Sequence, residues 1–543
     1  MYPLLSAKSW VFVIWLISIG FALYTRPLLP VDETRYAAVA WEMWQRGDFL
    51  VPHLNGELYS HKPPLLFWLM QLTWLVFGVN DWSLRLVSPL FALGTVYLSA
   101  AMARMLWPER KAIADMAPVM LVGSGFWIAF STLTMFDMML AFFAVLAICS
   151  LLKLAHEGLT PPRWLLLGAA IGGGVMAKGP VILLHVLPVA LSAPWWRIDS
   201  KPGSYWRHWY AGLVFSILLG AAIALCWAIP AGIAGGEVYR NAIFLGQTQG
   251  RLIESFAHKL PWWWYAQYMP VLLLPWLLLK PLWHGLKALN LQDTGLRFCA
   301  AWGTPLFIAF SLISGKRMHY LLPMFPLFVL VLAWAAEHAS ERQSDWRVAN
   351  RWIIALSALI GVVMAMAPWV NELTYRNAEL AILSPLWGIF LLISVAFLSK
   401  HKVQNAQESV FTVSIATVIT LLVISSAFFS VRGDRFDTRQ TGAKIAEVFA
   451  QNREVAYLTG VYHGEFQFNG RLTKPIKVLT SLRSLEKWKA QHPDAYVLIR
   501  YSKTSDLPDH FPYYHHRYRG SRLALLPVDA LLSNPGLKEI LKY

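Results

Sequence analysis

Charged side chains are scarce in this sequence. Only 14% of its 543 residues are Asp, Glu, Lys or Arg, whereas 57% are hydrophobic. A soluble globular domain usually carries about 25% charged residues. The scarcity excludes an ordinary soluble protein, and several apolar runs reach the roughly 20 residues needed to cross a bilayer. We therefore interpret the chain as a polytopic α-helical membrane protein.

Motifs for metals, nucleotides and disulfides are also lacking. The three cysteines, Cys149, Cys226 and Cys299, form no motif. The histidines show no HExxH or paired-ligand spacing, and there is no Walker-type glycine-rich loop. These absences leave a divalent metal open without indicating one, and they predict no other cofactor.

The net charge of +16 is the first positive signal. Basic cytoplasmic loops explain such a charge in a membrane protein, and contact with anionic lipid headgroups is a second explanation. No basic segment stands apart from the apolar runs, so nucleic acid is not predicted as a partner.

The apolar runs predict about 13 transmembrane helices. Short basic turns alternate along the chain, so the positive-inside rule places the N-terminus in the cytoplasm and the C-terminal segment outside. Within one run, Gly172-Gly173-Gly174 predicts a close contact between helices. The predicted spans are 10-25, 82-106, 113-131, 135-154, 164-177, 180-196, 209-231, 264-283, 297-313, 318-337, 350-369, 382-398 and 409-430.

The predicted transmembrane domain covers residues 1-431 and has two long outward loops, 26-81 and 232-263. The first loop contains two amphipathic stretches, 33-46 and 64-77, which we expect to form interfacial helices.

The composition changes from residue 432 to residue 543. Short β-like runs, such as 455-458 and 495-499, alternate there with helical stretches such as 481-491. This alternation predicts a small α/β domain outside the membrane.

An acidic pair and an arginine follow the first span, in Asp32-Glu33-Thr34-Arg35-Tyr36. Charges near lipid are costly and tend to be retained for pairing or function. Acidic residues also favour the positive end of a helix dipole. The spacing alone therefore leaves a helix start and a functional site equally open.

Other polar positions form a set on the predicted outer face. Lys62, after His61 in Tyr59-Ser60-His61-Lys62-Pro63-Pro64, would suit a phosphate, although a polar turn broken by prolines explains it too. Asp137 opens the fourth span, where it either faces a cavity or caps a helix. Outward basic residues also oppose the positive-inside bias and together indicate an anion site, although each alone could snorkel to headgroups. These are Lys178, Arg251, Lys316 and Arg317.

In this order, the motifs resemble the bacterial branch of the protein-mannosyltransferase-like glycosyltransferases. The shared features are the acidic pair, the Lys-Pro step at 62, the Asp opening span four, Met176-Ala177-Lys178-Gly179, and the turn from Gly315 to Tyr320. Within that branch, the chain most resembles the 4-amino-4-deoxy-L-arabinose lipid A transferases, with motifs over about residues 10-340.

The resemblance implies a GT-C fold and an enzyme of the bacterial inner membrane, with its active site and C-terminal domain facing the periplasm. The donor would be a sugar on undecaprenyl phosphate, and the acceptor lipid A or another glycan or lipid. The resemblance makes Asp32 the catalytic carboxylate, with Glu33 in the same motif. The residues implied for carrier phosphate and substrate are Arg35, Tyr59, His61, Lys62, Asp137, Lys178, Arg251, Lys316, Arg317 and Tyr320.

The chain departs from that family at three places. His61 replaces a Glu, Gln247-Thr248-Gln249-Gly250 replaces an acidic-His pair, and the turn at 315-320 reads Gly-Lys-Arg-Met-His-Tyr. The first two departures argue against a family-like metal site, and the third leaves the sugar and acceptor open. A transferase acting on protein or polysaccharide is one alternative, and a transporter for a lipid-linked sugar is another. Transporters more often have repeated halves with broken helices at the midplane, whereas the charges here gather at one face.

Overall fold

The computed structural model describes residues 6–197, 201–246, 260–313, 315–342, 345–373, 377–458, 460–502, 514–534 and 536. The chain forms two compact units, and neither is continuous in sequence. The helical unit comprises Met1–Tyr24, Ser60–Leu66 and Arg85–Ala427. The mixed unit comprises Thr25–Tyr59, Phe67–Leu84 and Phe428–Tyr543.

The chain is mostly helical up to residue 432, apart from a short hairpin. That hairpin pairs β1 (His53–Leu54) with β2 (Glu57–Leu58). The α-helices of this part are α1 (Ala7–Thr25), α2 (Asp32–Arg46), α3 (Leu65–Phe77), α4 (Asp81–Leu84), α5 (Val87–Leu106), α6 (Lys111–Gly123), α7 (Gly125–Ser131), α8 (Phe136–Glu157), α9 (Pro161–Lys178), α10 (Ile182–Leu191), α11 (Ala193–Trp196), α12 (Gly203–Ala234), α13 (Gly236–Asn241), α14 (Trp264–Leu272), α15 (Lys280–Leu286), α16 (Thr294–Leu312), α17 (Phe325–Glu341), α18 (Arg351–Leu373), α19 (Ala378–Ala381), α20 (Leu386–Ser399) and α21 (Ala406–Arg432). A π-helical turn (Ala242–Gly246) and 3-10 turns (Trp276–Leu278 and Met318–Met324) complete it.

Eight helical segments within the described residues are long and apolar enough to cross a membrane, or nine if the bent pair α6 and α7 counts as one span. The prediction of a polytopic helical membrane protein is therefore confirmed. α6 and α7 meet at 65° where one span, 113-131, is predicted. The other four predicted spans contain helices of at most 18 residues, and the run 264-283 is divided between α14 and α15. In the runs 180-196 and 264-283, the second helix begins with a proline in its first turn, where the missing N–H costs nothing.

The glycine run in α9 is a helix contact, as predicted. A Cβ atom at Gly172 would lie 2.8 Å from the Ile223 side chain of α12, and one at Gly173 would lie 2.3 Å from Phe143 of α8. Such distances leave no room for a side chain, so the glycines allow α9 to pack closely against both neighbours. This packing fixes the end of α9 that carries Lys178.

The C-terminal part of the mixed unit is an α/β fold, which confirms the predicted alternation of strands and helices there. Its five-stranded sheet has the order β4-β3-β5-β7-β6. β3 pairs in parallel with β4 and β5, while β7 pairs antiparallel with β5 and β6. Its elements are a 3-10 turn (Gly433–Phe436), α22 (Arg439–Ala450), β3 (Val455–Leu458), β4 (Lys477–Leu479), α23 (Leu482–Lys489), β5 (Tyr496–Tyr501), β6 (Tyr514–Tyr518), β7 (Ser521–Pro527) and α24 (Val528–Ser533).

Most of the first long loop belongs to this mixed unit. The sequence divides the chain at residue 431 and leaves 26-81 with the transmembrane domain. The structure instead groups Thr25–Tyr59 and Phe67–Leu84 with the C-terminal domain. The physical reason is direct packing: the indole of Trp74 stacks on Phe468, with ring centroids 5.3 Å apart and planes at 6°. The two predicted stretches of this loop form the helices α2 and α3, and their interfacial position stays a prediction.

Candidate functional site

Asp32 and Glu33 form the first turn of α2. A carboxylate at this position interacts favourably with the positive end of the helix dipole. The local interpretation as a helix start is therefore correct, but the two side chains differ sharply. The side chain of Asp32 is 51% exposed, whereas that of Glu33 is 2% exposed.

Glu33 is held in a buried ion pair. Its Oε2 lies 3.3 Å from Nη1 of Arg26, whose side chain is 5% exposed. The same oxygen accepts a hydrogen bond of 3.0 Å from the backbone N–H of Leu29. Glu33 thus ties the segment before α2 to its first turn. Arg26 is not among the residues predicted from the motifs, and its only signal in the sequence is a cation directly after the first span.

Asp32 is accompanied by Arg35 and Tyr59 in the mixed unit. The guanidinium of Arg35 forms an ion pair with the Asp32 carboxylate. Burial raises the pKa of Tyr59 to about 12, although the Arg35 cation lowers it in part. The Tyr59 hydroxyl is therefore protonated at neutral pH and can donate a hydrogen bond. This cluster combines an exposed carboxylate, a cation and a neutral donor.

A second cluster lies in the helical unit, where α8 begins and α9 ends. Nζ of Lys178 lies 2.5 Å from Oδ1 of Asp137, and the Asp137 side chain is 3% exposed. The same ammonium lies 4.9 Å from the centroid of the Tyr320 ring. The structure therefore brings together three predicted residues that are far apart in sequence.

Lys62 reaches the same end of α8. Its Nζ lies 5.9 Å from the ring centroid of Phe136, the residue before Asp137. Lys62 is partly buried, and the neighbouring His61 is exposed. Two cations, Lys62 and Lys178, thus lie near the start of α8, which is an arrangement suited to an anionic group.

Lys316 has other contacts. It is 5% exposed, and its ammonium donates to the carbonyl oxygens of Ile313 at 2.6 Å and Leu260 at 3.1 Å. Burial lowers the pKa of this ammonium. Its neighbour Arg317 exchanges backbone hydrogen bonds with the Tyr265 hydroxyl. These contacts favour a role for Lys316 in holding the end of α16.

Arg251 and the stretch Gln247–Gly250 lie outside the described residues. Among the residues that are described, no three His, Cys, Asp or Glu side chains come close enough to share a metal ion.

Known proteins are similar to this chain at the level of a family model, of sequence and of structure. The model of the family described as dolichyl-phosphate-mannose-protein mannosyltransferase (PMT) matches residues 6–231. Several curated relatives are named undecaprenyl phosphate-α-4-amino-4-deoxy-L-arabinose arabinosyl transferase. The one from Enterobacter sp. (strain 638) is 29% identical over 357 residues, which cover 63% of this chain and 62% of that protein. The one from Serratia proteamaculans is 26% identical over 428 residues, covering 76% and 74%.

Solved structures show the same fold. ArnT from Cupriavidus metallidurans in the apo state superimposes with a TM-score of 0.72 at 19% identity, covering 96% of each chain. The same protein bound to undecaprenyl phosphate gives a TM-score of 0.70 at 18% identity, covering 96% of this chain and 97% of that one. The resemblance and the GT-C-type fold predicted from the motifs are thereby confirmed.

Proposed function

We propose, from its similarity to the PMT family and its ArnT fold, that this chain is a glycosyltransferase that uses a sugar on undecaprenyl phosphate. The sugar is 4-amino-4-deoxy-L-arabinose or a related one, and the acceptor is lipid A or lipopolysaccharide. The names of the aminoarabinose transferases support this assignment. The chain spans 62% of the length of the Enterobacter relative, so the full activity is our proposal.

The observation that carries the proposal is the contrast between the two carboxylates of α2. A catalytic group held in the right geometry lowers the barrier, and the proposed catalytic carboxylate must also be accessible to the substrate. Asp32 is the accessible one, and the buried pair between Glu33 and Arg26 fixes the turn that carries it. We therefore assign the catalytic role to Asp32 and a supporting role to Glu33.

In the proposed reaction, an acceptor oxygen forms a bond to the anomeric carbon of the donor sugar. The bond from that carbon to the carrier phosphate breaks, and the phosphate leaves with the electron pair. A hydroxyl acceptor is a weak nucleophile, and Asp32 would then remove its proton as general base. A phosphate acceptor is already an anion, and Asp32 would then position the sugar and stabilise positive charge on its ring. Direct displacement inverts the anomeric centre in either case.

Cations stabilise the leaving carrier phosphate in this proposal. Charge develops on that phosphate in the transition state, so a fixed ammonium or guanidinium beside it lowers the barrier. We assign Lys62 and Lys178 to the carrier phosphate because both ammonium groups lie near the start of α8. Arg251 is assigned to it from the motif alone. Asp137 keeps Lys178 in place through their ion pair.

We propose the bacterial inner membrane as the location of the protein. The basic turns put the N-terminus inside, and Asp32 then faces the periplasm, as does the C-terminal domain. Undecaprenyl-linked sugars and lipid A would meet there in one leaflet.

The test is mass spectrometry of lipid A and lipid-linked sugars from cells with and without this protein. The proposal predicts that one sugar is missing from lipid A in cells without it, while its undecaprenyl-phosphate donor accumulates. Loss of sugar from a protein or polysaccharide instead would favour the alternative acceptors. A donor confined to the cytoplasmic leaflet would favour the alternative of a lipid-linked sugar transporter.

A further inference from the structure

The loop that carries Asp32 is packed onto the C-terminal domain within the mixed unit. Nε1 of Trp41, in the second half of α2, donates a hydrogen bond of 3.0 Å to the carbonyl of Leu472. A Cβ atom at Gly464 would lie 2.5 Å from the side chain of Leu54 and 3.1 Å from Ala38 of α2. The chain between β3 and β4 therefore lies directly against both α2 and the β1–β2 hairpin.

Asn55, at the tip of that hairpin, makes the most specific contacts. Its Nδ2 donates to the carbonyl of Ile476 at 2.9 Å, and its Oδ1 accepts from the N–H of Ile476 at 2.8 Å. The same oxygen accepts from Nε2 of Gln467 at 2.6 Å. An asparagine amide can make at most four hydrogen bonds, and three of these are committed to the C-terminal domain.

The turn itself does not require these contacts. Asn55 and Gly56 have positive φ angles of 55° and 85°, a pair that asparagine and glycine adopt readily in two-residue hairpins. A glycine at position 55 would serve the turn equally well. The hairpin could therefore form without the Asn55 side chain, which instead attaches the hairpin to the C-terminal domain.

Arg471 strengthens the same interface. Its guanidinium carbon lies 3.9 Å from the centroid of the Phe468 ring and 5.5 Å from that of Trp41. A guanidinium on aromatic faces gains cation–π attraction. The interface therefore combines hydrogen bonds with aromatic packing.

We propose that the C-terminal domain is the scaffold that positions Asp32, and that Asn55 is a positioning residue through which it does so. This rests on the proposed function, because Asp32 is catalytic only there. The hairpin is joined to α2 by the N–H of Gly56, which donates to Oε1 of Glu42 at 2.9 Å. Trp41 and Asp32 are ends of one rigid helical segment about 14 Å long, so a shift at the interface moves the carboxylate. A misplacement of about 1 Å can reduce an enzyme's rate by about 100-fold.

Three variants of the full-length protein test the proposal. Asn55→Gly keeps the positive φ and removes three hydrogen bonds, whereas Trp41→Phe removes one and keeps a ring beside Arg471. Glu57→Ala is the matched control, since Glu57 lies in the same hairpin with an exposed side chain. The measurements are kcat, KM for the donor, and hydrogen exchange of the amides of residues 33–36.

The proposal predicts that Asn55→Gly lowers kcat the most, by at least about tenfold relative to wild type. Trp41→Phe lowers kcat less, and Glu57→Ala leaves it unchanged. KM for the donor stays close to wild type, because donor contacts are not removed. Exchange at 33–36 accelerates in the same order. An Asn55→Gly protein with the kcat and exchange of Glu57→Ala overturns the proposal. If wild type transfers no sugar, the proposed function fails, and exchange at 33–36 still decides whether Asn55 holds this turn.

Discussion

Asp32 and Glu33 are neighbours in the chain, yet their carboxylates are in opposite environments. The side chain of Asp32 is 51% exposed, and that of Glu33 is 2% exposed and paired with Arg26 at 3.3 Å. A buried charge is tolerated only when it is paired and hydrogen-bonded. The acidic pair therefore divides into one group available for chemistry and one that holds the turn in place.

Glu33→Gln should reduce the stability of the folded protein. The substitution leaves the Arg26 cation buried without its counter-charge, and breaking a buried pair in this way costs about 3–5 kcal/mol. The melting temperature of the purified protein measures this effect. The double variant Arg26→Met/Glu33→Met is the control, because it leaves no unpaired charge and should recover much of the loss. Equal melting temperatures for wild type and Glu33→Gln would show that the pair does not hold the turn.

Lys178→Met should affect both binding and stability. It removes a cation assigned to the carrier phosphate and leaves Asp137, whose side chain is 3% exposed, without its partner. We expect a loss of about 3–5 kcal/mol of stability, together with weaker binding of undecaprenyl phosphate.

The double variant Lys178→Met/Asp137→Asn separates these two effects. Removing both charges should recover stability, since no unpaired charge remains, but not affinity for the carrier. Thermal unfolding and titration with undecaprenyl phosphate provide the two measurements. Full recovery of affinity in the double variant would mean that Lys178 does not contact the phosphate.

Lys62→Ala and Lys316→Ala should differ in their effects. The Lys316 ammonium is buried and donates to two carbonyl oxygens, so its removal should lower stability and leave carrier affinity nearly unchanged. Lys62 is assigned to the phosphate, and its removal should weaken carrier binding by about tenfold or more, since a charged hydrogen bond contributes roughly 1.5–3 kcal/mol. Titration of both variants with undecaprenyl phosphate makes the comparison. A larger loss of affinity from Lys316→Ala would reverse these two assignments.

The raised pKa of Tyr59 predicts that the stability of the protein falls at alkaline pH. Burial raises its pKa to about 12 in the folded protein, against about 10 for an unperturbed tyrosine. The unfolded chain loses this proton at a lower pH than the folded protein does. The contribution of the buried Tyr59 hydroxyl to stability is therefore fully present below pH 10 and is lost as the pH rises towards 12. Tyr59→Phe should therefore show a smaller fall in melting temperature between pH 9 and pH 11 than wild type. An identical fall in both proteins would contradict the buried position of the hydroxyl.

Much of the fold could be predicted from composition and periodicity. Long apolar runs define helices such as α8 and α12 because any such run must form a helix in a bilayer. The runs at 180-196 and 264-283 are predicted as single spans, but each is divided between two helices. Hydropathy does not record where one helix ends and the next begins. The packing of the first loop onto the C-terminal domain could not be predicted from local sequence patterns, because Asn55 and Ile476 are 421 positions apart.

Most residues of the candidate site could be predicted from the sequence, but their contacts could be predicted only in part. The motifs identified Asp32, Asp137 and Lys178, and the structure joins the last two in an ion pair. Sequence spacing could not separate Asp32 from Glu33, because exposure depends on a partner outside the motif, Arg26. It also could not distinguish Lys316 from Lys62, since one of the two carbonyl oxygens that accept from the Lys316 ammonium belongs to Leu260, 56 positions away.

The central claim is that Asp32 is the catalytic carboxylate of a transferase that uses undecaprenyl-phosphate sugar. Its most direct test is transfer by purified wild type and Asp32→Asn in lipid vesicles, with undecaprenyl-phosphate aminoarabinose and lipid A, followed by mass spectrometry of the lipid A. We predict modified lipid A with wild type and none with Asp32→Asn, while the variant keeps the melting temperature and donor affinity of wild type. Transfer by Asp32→Asn at the wild-type rate would contradict the account.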